Sequence, residues 1–80
     1  MTLSQNHMKN ELNVRFNAHR NVTGNLNVYS ITGEVLLNKQ VSLSRGDNKY
    51  QIHLNRLDKG IYFVSIELNG FRTNKKIIKL

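Results

Sequence analysis

Apolar and polar positions alternate along this chain. From Glu11 to Phe16, Leu12, Val14 and Phe16 fall on one side and Asn13 and Arg15 on the other, the period of two of a strand with one buried face. The same period predicts a strand over residues 25–31, with Leu26 and Val28 inward. Another is predicted over 35–43, where Val35, Leu37, Val41 and Leu43 form a stripe that Lys39 interrupts. A further strand over 49–54 places Tyr50, Ile52 and Leu54 together. Residues 61–68 give the strongest pattern. Tyr62, Val64, Ile66 and Leu68 share one face, and Ile61 and Phe63 add apolar bulk to the other, as in a strand that is central or covered on both sides. The last strand, 71–80, is basic along its middle and apolar at its end. No segment carries a helical period.

The turns are made by Asn and Gly. Asn69-Gly70 between two strands is the favoured two-residue hairpin signal, because both residues tolerate positive φ. Gly33, within Thr32-Gly33-Glu34, turns the second strand into the third. Residues 44–48, with Gly46 and Asp47, are expected to close the next hairpin, and Leu57 in the longer 55–60 loop to plug one end of the core. Six or seven short strands at regular spacing predict an all-β fold, a compact antiparallel β-sandwich in preference to a small barrel. Residues 1–10 are polar and expected to be a flexible segment, in part a linker or a cloning scar, with Leu3 alone docking; the domain proper is 11–80.

Composition sharpens this picture. Leu, Ile, Val and Phe account for 25 of 80 residues, enough for collapse but only for a small, marginally stable core. With no Cys, disulfides, thiolate metal sites and thiol nucleophiles are excluded. The longest apolar runs are two to four residues, too short for a membrane-spanning helix. No charged-then-apolar leader opens the chain, so an export address would lie elsewhere in a longer protein or in the domain itself.

Catalytic chemistry finds little support. His7 and His19 fall in loops and His53 on the polar face of its strand, with no flanking carboxylate pair, so neither metal ligation nor a triad is indicated. The acids Glu11, Glu34, Asp47, Asp58 and Glu67 are scattered, which leaves a paired general acid and base unsupported. No catalytic, metal or cofactor-binding residue is assigned, and an enzyme is not expected. Arg45-Gly46-Asp47 spells an integrin-binding tripeptide, but the turn already explains Gly46. Asn21-Val22-Thr23 is a glycosylation sequon that matters only in a eukaryotic secretory setting. The formal charge of +7 rests on 12 Lys and Arg against 5 acids. These cations are spread out, and most aromatics fall on inward stripes, so nucleic-acid binding is not expected. The exception is the cluster Arg72, Lys75, Lys76 and Lys79. It reads either as a solvated edge strand, on which Lys blocks unwanted pairing, or as a charged docking strip.

Five motifs occur in order. They are NHMKNELNVRF (6–16), LNVYSITGEV (26–35), LSRGDNKYQIHL (43–54), LDKGIYFVSI (57–66) and the closing NGFRTNKKIIKL (69–80). Together they resemble the type A C-terminal sorting domains of the type IX (Por) secretion system of Bacteroidetes. Gly33 stands at the family's first Gly turn. Gly46 and Asn48 match its Leu, two residues, Gly, one residue, Asn pattern. Leu57, Gly60, Tyr62 and Val64 match its Leu, two residues, Gly and aromatic-containing strand. One departure is His7, which stands where the family has Pro.

The resemblance implies an immunoglobulin-like sandwich of about seven strands and a role as a sorting signal. Such a domain follows a cargo protein that has reached the periplasm. It is recognised by the type IX translocon and shuttle proteins, carried across the outer membrane, and usually removed by a sortase-like peptidase. The cargo ends at the cell surface or is secreted. For such a role the last strand, which combines basic and apolar side chains, is the expected handle, with Lys75, Lys76, Ile77, Ile78, Lys79 and Leu80 as recognition residues and Gly60 and Tyr62 acting through the neighbouring strand. Gly33, Gly46, Asn48, Asn69 and Gly70 are structural turn residues. No cofactor and no membrane insertion are implied, and an exposed edge strand predicts dimers or strand swapping in isolation. The other reading is an accessory β-sandwich, a binding or adhesion module of a secreted protein.

Overall fold

The computed structural model describes residues 1–80 as seven antiparallel strands without a helix: β1 (Thr2–Asn6), β2 (Glu11–Ala18), β3 (Val22–Ser30), β4 (Val35–Leu43), β5 (Gly46–His53), β6 (Gly60–Leu68) and β7 (Phe71–Lys79). They form a three-stranded sheet of order β1-β2-β5 and a four-stranded sheet of order β4-β3-β6-β7. This is an immunoglobulin-like sandwich in which the fourth strand joins the sheet opposite the one it occupies in a constant-type domain. Alternation decides which side chains lie between the sheets. β2 contributes Leu12, Val14, Phe16 and Ala18, β3 Leu26 and Val28, β6 Tyr62, Val64 and Ile66, and β7 contributes Ile77. Val41, Leu43, Ile52 and Leu54 complete the core, and the half-buried Leu57 packs against it.

Two expectations are corrected. Residues 2–6 are not loose: they pair with β2, from Thr2 against Arg15 to Asn6 against Glu11. Leu3 and Gln5 are half-buried while Thr2, Ser4 and Asn6 face solvent, so the strand is held by backbone pairing and one apolar side chain. A single Leu leaves no periodic signal. Residues 44–48 do not close a hairpin either. They carry the chain from β4 in one sheet to β5 in the other. Asn48 holds this arch. Its Oδ1 accepts from the Ser44 N–H at 3.0 Å, and its Nδ2 donates to the carbonyls of Ser44 at 2.8 Å and Gly46 at 3.1 Å. Gly46 has φ 104°, a conformation that disfavours other residues. The β3–β4 turn at Gly33 and the β6–β7 turn at Asn69-Gly70 are hairpins, as expected.

A further glycine matters for another reason. A Cβ on Gly24 of β3 would stand 2.5 Å from Leu68 Cδ2 and 2.8 Å from the Glu67 carbonyl oxygen. β3 and β6 approach each other here only because that side chain is absent.

Each open side of the sandwich is bridged once. Gln5 Nε2 on β1 donates to the Ile78 carbonyl of β7 at 2.9 Å. On the other side, Tyr50 Oη on β5 donates to the Ser42 carbonyl of β4 at 3.0 Å.

Candidate functional site

β7 is an edge strand, paired with β6 on one side only. The register sets Lys75 opposite Val64, Ile77 opposite Tyr62 and Lys79 opposite Gly60, while Lys76 opposes Phe63 and Ile78 opposes Ile61. Val64 and Tyr62 are buried, so Lys75, Ile77 and Lys79 share the face turned toward the opposing sheet. Arg72, Asn74, Lys76 and Ile78 share the outer face. The terminal run therefore divides into two sets. Ile77 is 3% exposed and works as a core residue. Lys75 is exposed and Lys79 partly so; on either side of Ile77, they put charge on the inward face of an edge, which discourages pairing with a stray strand. Lys76, Ile78 (47% exposed) and Leu80 (70% exposed) are available to a partner.

Gly60 and Tyr62 belong to the support of this strand. Tyr62 is buried, and its hydroxyl donates to the Asp58 carbonyl at 2.6 Å. That bond ties the start of β6 to the preceding loop, as a tyrosine corner does in immunoglobulin-like domains. Gly60 opens β6 with φ 153°.

The two sheets differ in their outer faces. That of the three-stranded sheet is polar throughout, running through Asn13, Arg15 and Asn17 on β2 and Asp47, Lys49, Gln51 and His53 on β5. There Arg15 Nε donates to both carboxylate oxygens of Asp47, at 2.9 and 3.0 Å, and Nη2 lies 2.7 Å from Oδ2. This hydrogen bond holds the Asp47 carboxyl below the usual carboxylate range and raises the Arg15 guanidinium, although both groups are exposed. Asp47 is thus engaged within the domain, and its tripeptide is not displayed on a hairpin.

The outer face of the four-stranded sheet is different. A strip of small polar residues crosses it, with Asn27 opposite Asn38 and Ser65, and Ser65 opposite Asn74. Asn38 Nδ2 donates to Asn27 Oδ1. The next row pairs Tyr29 with Phe63, and Phe63 with Lys76. Arg72 starts two residues before the polar strip, yet its guanidinium carbon lies 5.2 Å from the Tyr29 ring centre. Its side chain must therefore cross the row that contains Ser65, whose hydroxyl is fully buried and without a hydrogen-bond partner. The exposed Val35 opposes Tyr29 in the aromatic row, and beyond it lie the exposed Ile31, Ile61 and Ile78. Alternation alone assigns Ile61 and Phe63 to a covered face and does not single out Tyr29 or Ile31. The outward stripe was the available signal, since apolar residues on an uncovered face need a reason.

Among His, Asp and Glu, no group converges as metal ligands would, and no helix is long and apolar enough to cross a membrane.

No curated protein and no solved structure matches the chain. The family model of the secretion system C-terminal sorting domain matches residues 6–80, and with the two-sheet fold and the basic last strand in place, the chain belongs to that family of type IX sorting signals, which act on a fused cargo and are not a family of enzymes.

Proposed function

We propose that this domain is read while folded, by type IX translocon or shuttle proteins in the periplasm, through the outward side chains of β7. Lys76 meets acidic groups of the receptor, and Ile78 and Leu80 enter apolar contacts. Alternate residues of an edge strand supply specificity in this way when a partner docks along it. The supporting observation is the division of β7 between Ile77, buried in the core, and Lys76 and Ile78, exposed on the outer face. Gly60 and Tyr62 act indirectly, by fixing β6 against β7. Lys75 and Lys79 add positive charge beside the strand and keep its edge from pairing promiscuously. The sorting unit spans residues 11–80 together with β1. A sortase-like peptidase then separates it from the cargo, which stays at the cell surface or is released.

The test is a signal-peptide-bearing fluorescent protein fused to this chain, expressed in strains with and without a working type IX system. Removing residues 76–80 would also remove the core residue Ile77, so the informative variant is Lys76→Glu with Ile78→Asp. The unaltered fusion is expected outside the cell only in the competent strain. The double variant is expected to stay folded in the periplasm. Export of the double variant at the normal rate would refute recognition through β7.

A further inference from the structure

The outer face beyond β7 has no partner within the domain, and its chemistry is specific. Tyr29, Ile31, Phe63, Arg72 and Asn74 line a shallow depression of about 410 Å³ on the four-stranded sheet. Ile31 is 68% exposed and the neighbouring Ile61 38%. No carboxylate lines this depression. The one acid on the outer face of these four strands is Glu67, in the row of Asn25 and Arg72, while Glu34 sits in the adjoining turn. Neither pairs with a cation, because Arg15–Asp47 is the only ion pair in the domain. Arg72 rests on the Tyr29 ring instead.

We propose that this depression is part of the receptor-docking surface, and that its occupant is a protein surface with an aliphatic centre and carboxylates at its rim. The inference rests on the sorting role above and extends the contact from β7 to the β3–β4 hairpin. Charge selects this occupant. Arg72 and Lys76 border apolar side chains and form no ion pair within the domain, so a partner's acid gains a charge-assisted bond and its aliphatic groups cover Ile31 and Ile61. The same two cations, on a chain of net charge +7, oppose a second copy. The amide and hydroxyl strip of Asn27, Ser65 and Asn74 argues against a lipid surface, where those groups would be buried without partners. When Arg72 turns from Tyr29 to a partner's carboxylate, the row it crosses is uncovered, and the Ser65 hydroxyl gains access to a hydrogen-bond partner it lacks in the free domain.

The same reporter fusion tests this with β7 intact. Ile31→Asp and Arg72→Glu are each expected to lower export about tenfold or more while the domain stays folded, with the urea midpoint unchanged for Ile31→Asp and lowered by about 1 M or less for Arg72→Glu, which loses the Tyr29 contact and faces Glu67. Arg72→Lys keeps export within about twofold. Lys49→Glu, an equal charge change on the polar outer face of the other sheet, leaves export unchanged. Normal export of Ile31→Asp and Arg72→Glu beside a normally exported parent fusion overturns the patch and leaves the β7 reading standing. An unexported parent fusion removes both. Equal losses from Lys49→Glu reduce the effect to net charge and overturn it too. So does association of the purified domain in sedimentation, or flotation with phosphatidylglycerol vesicles, if Ile31→Asp abolishes it.

Discussion

Ile77 and Ile78 are adjacent isoleucines on one strand, and the structure places them on opposite faces, one in the core and one exposed. Truncating Ile77 to Ala removes three carbons from a site that is 3% exposed. At about 0.8 kcal/mol per buried methylene this forfeits about 2.4 kcal/mol of transfer free energy. A partly collapsed cavity at a sheet edge brings the cost to roughly 3 kcal/mol. A chain of 80 residues has a total stability of about 4–12 kcal/mol, so the variant approaches the limit of folding. Ile78 is 47% exposed, so about half of that transfer free energy applies and the same truncation there costs about 1.3 kcal/mol. The chain holds three Tyr and no Trp, so unfolding in urea is best followed by far-ultraviolet circular dichroism, with tyrosine fluorescence as a second probe. With a slope near 1 kcal/mol/M, Ile77→Ala should lower the midpoint by roughly 3 M and Ile78→Ala by about 1.3 M. In the reporter assay the order reverses per unit of stability lost: Ile78→Ala impairs export of a fully folded domain. Equal urea shifts for the two variants, or a larger shift for Ile78→Ala, would mean that β7 pairs one residue out of register. Every side chain of the strand would then face the other way.

Two more outcomes follow from local geometry. Gly24→Ala drives a Cβ against Leu68 and the Glu67 carbonyl, and because the backbone oxygen cannot yield cheaply, the expected loss is about 1–3 kcal/mol, read as a lower urea midpoint; an unchanged midpoint would show that β3 and β6 are not this close. The Arg15 hydrogen bond depresses the Asp47 carboxyl in the folded state, so its stabilisation is complete above the carboxyl's ordinary value of about 4 and fades as pH falls through the lower folded value. The urea midpoint of the parent domain minus that of Asp47→Asn should therefore shrink below pH ~4, and shrink further in high salt because the pair is exposed; a difference that grows on acidification would contradict the assigned pairing.

Much of this fold is legible from period alone, because each buried face repeats every second residue. Leu12, Val14 and Phe16, and likewise Tyr62, Val64 and Ile66, are inward both by pattern and in the structure. What period cannot supply is pairing across long separations. The 44–48 segment carries the Gly and Asn of a turn whether it joins two strands of one sheet or two sheets, and only the placement of β5 beside β2 decides between them. β1 is invisible for another reason. Its stability comes from backbone hydrogen bonds to β2, and its side chains advertise only Leu3. The terminal strand shows the same limit at the site. Lys75, Lys76, Ile77, Ile78 and Lys79 read as one basic-apolar cluster along the chain, and a strand necessarily distributes them over two faces.

That distribution bears on how a sorting signal can be both soluble and readable. A free edge strand invites pairing with any other edge, yet a signal has to admit one partner. Here the inward face of β7 carries Lys75 and Lys79, and the Ile78 carbonyl is already occupied by the Gln5 side chain. β4, the other edge of the same sheet, carries Lys39 opposite the buried Leu26 and a bulge between its Val35 and Leu37 partners. Both edges are thus impeded against generic strand addition, while the outer face keeps Ile31, Ile61 and Ile78 exposed. Selective recognition follows more naturally from this side-chain surface than from backbone pairing alone. A receptor that used only the edge would find it blocked by Gln5, whereas one that also reads the face can displace Gln5 at the cost of a single hydrogen bond, about 1 kcal/mol. Gln5→Ala, which frees the Ile78 carbonyl without touching the face, should on this argument leave export unchanged or raise it, and a loss of export would place Gln5 itself in the recognised surface.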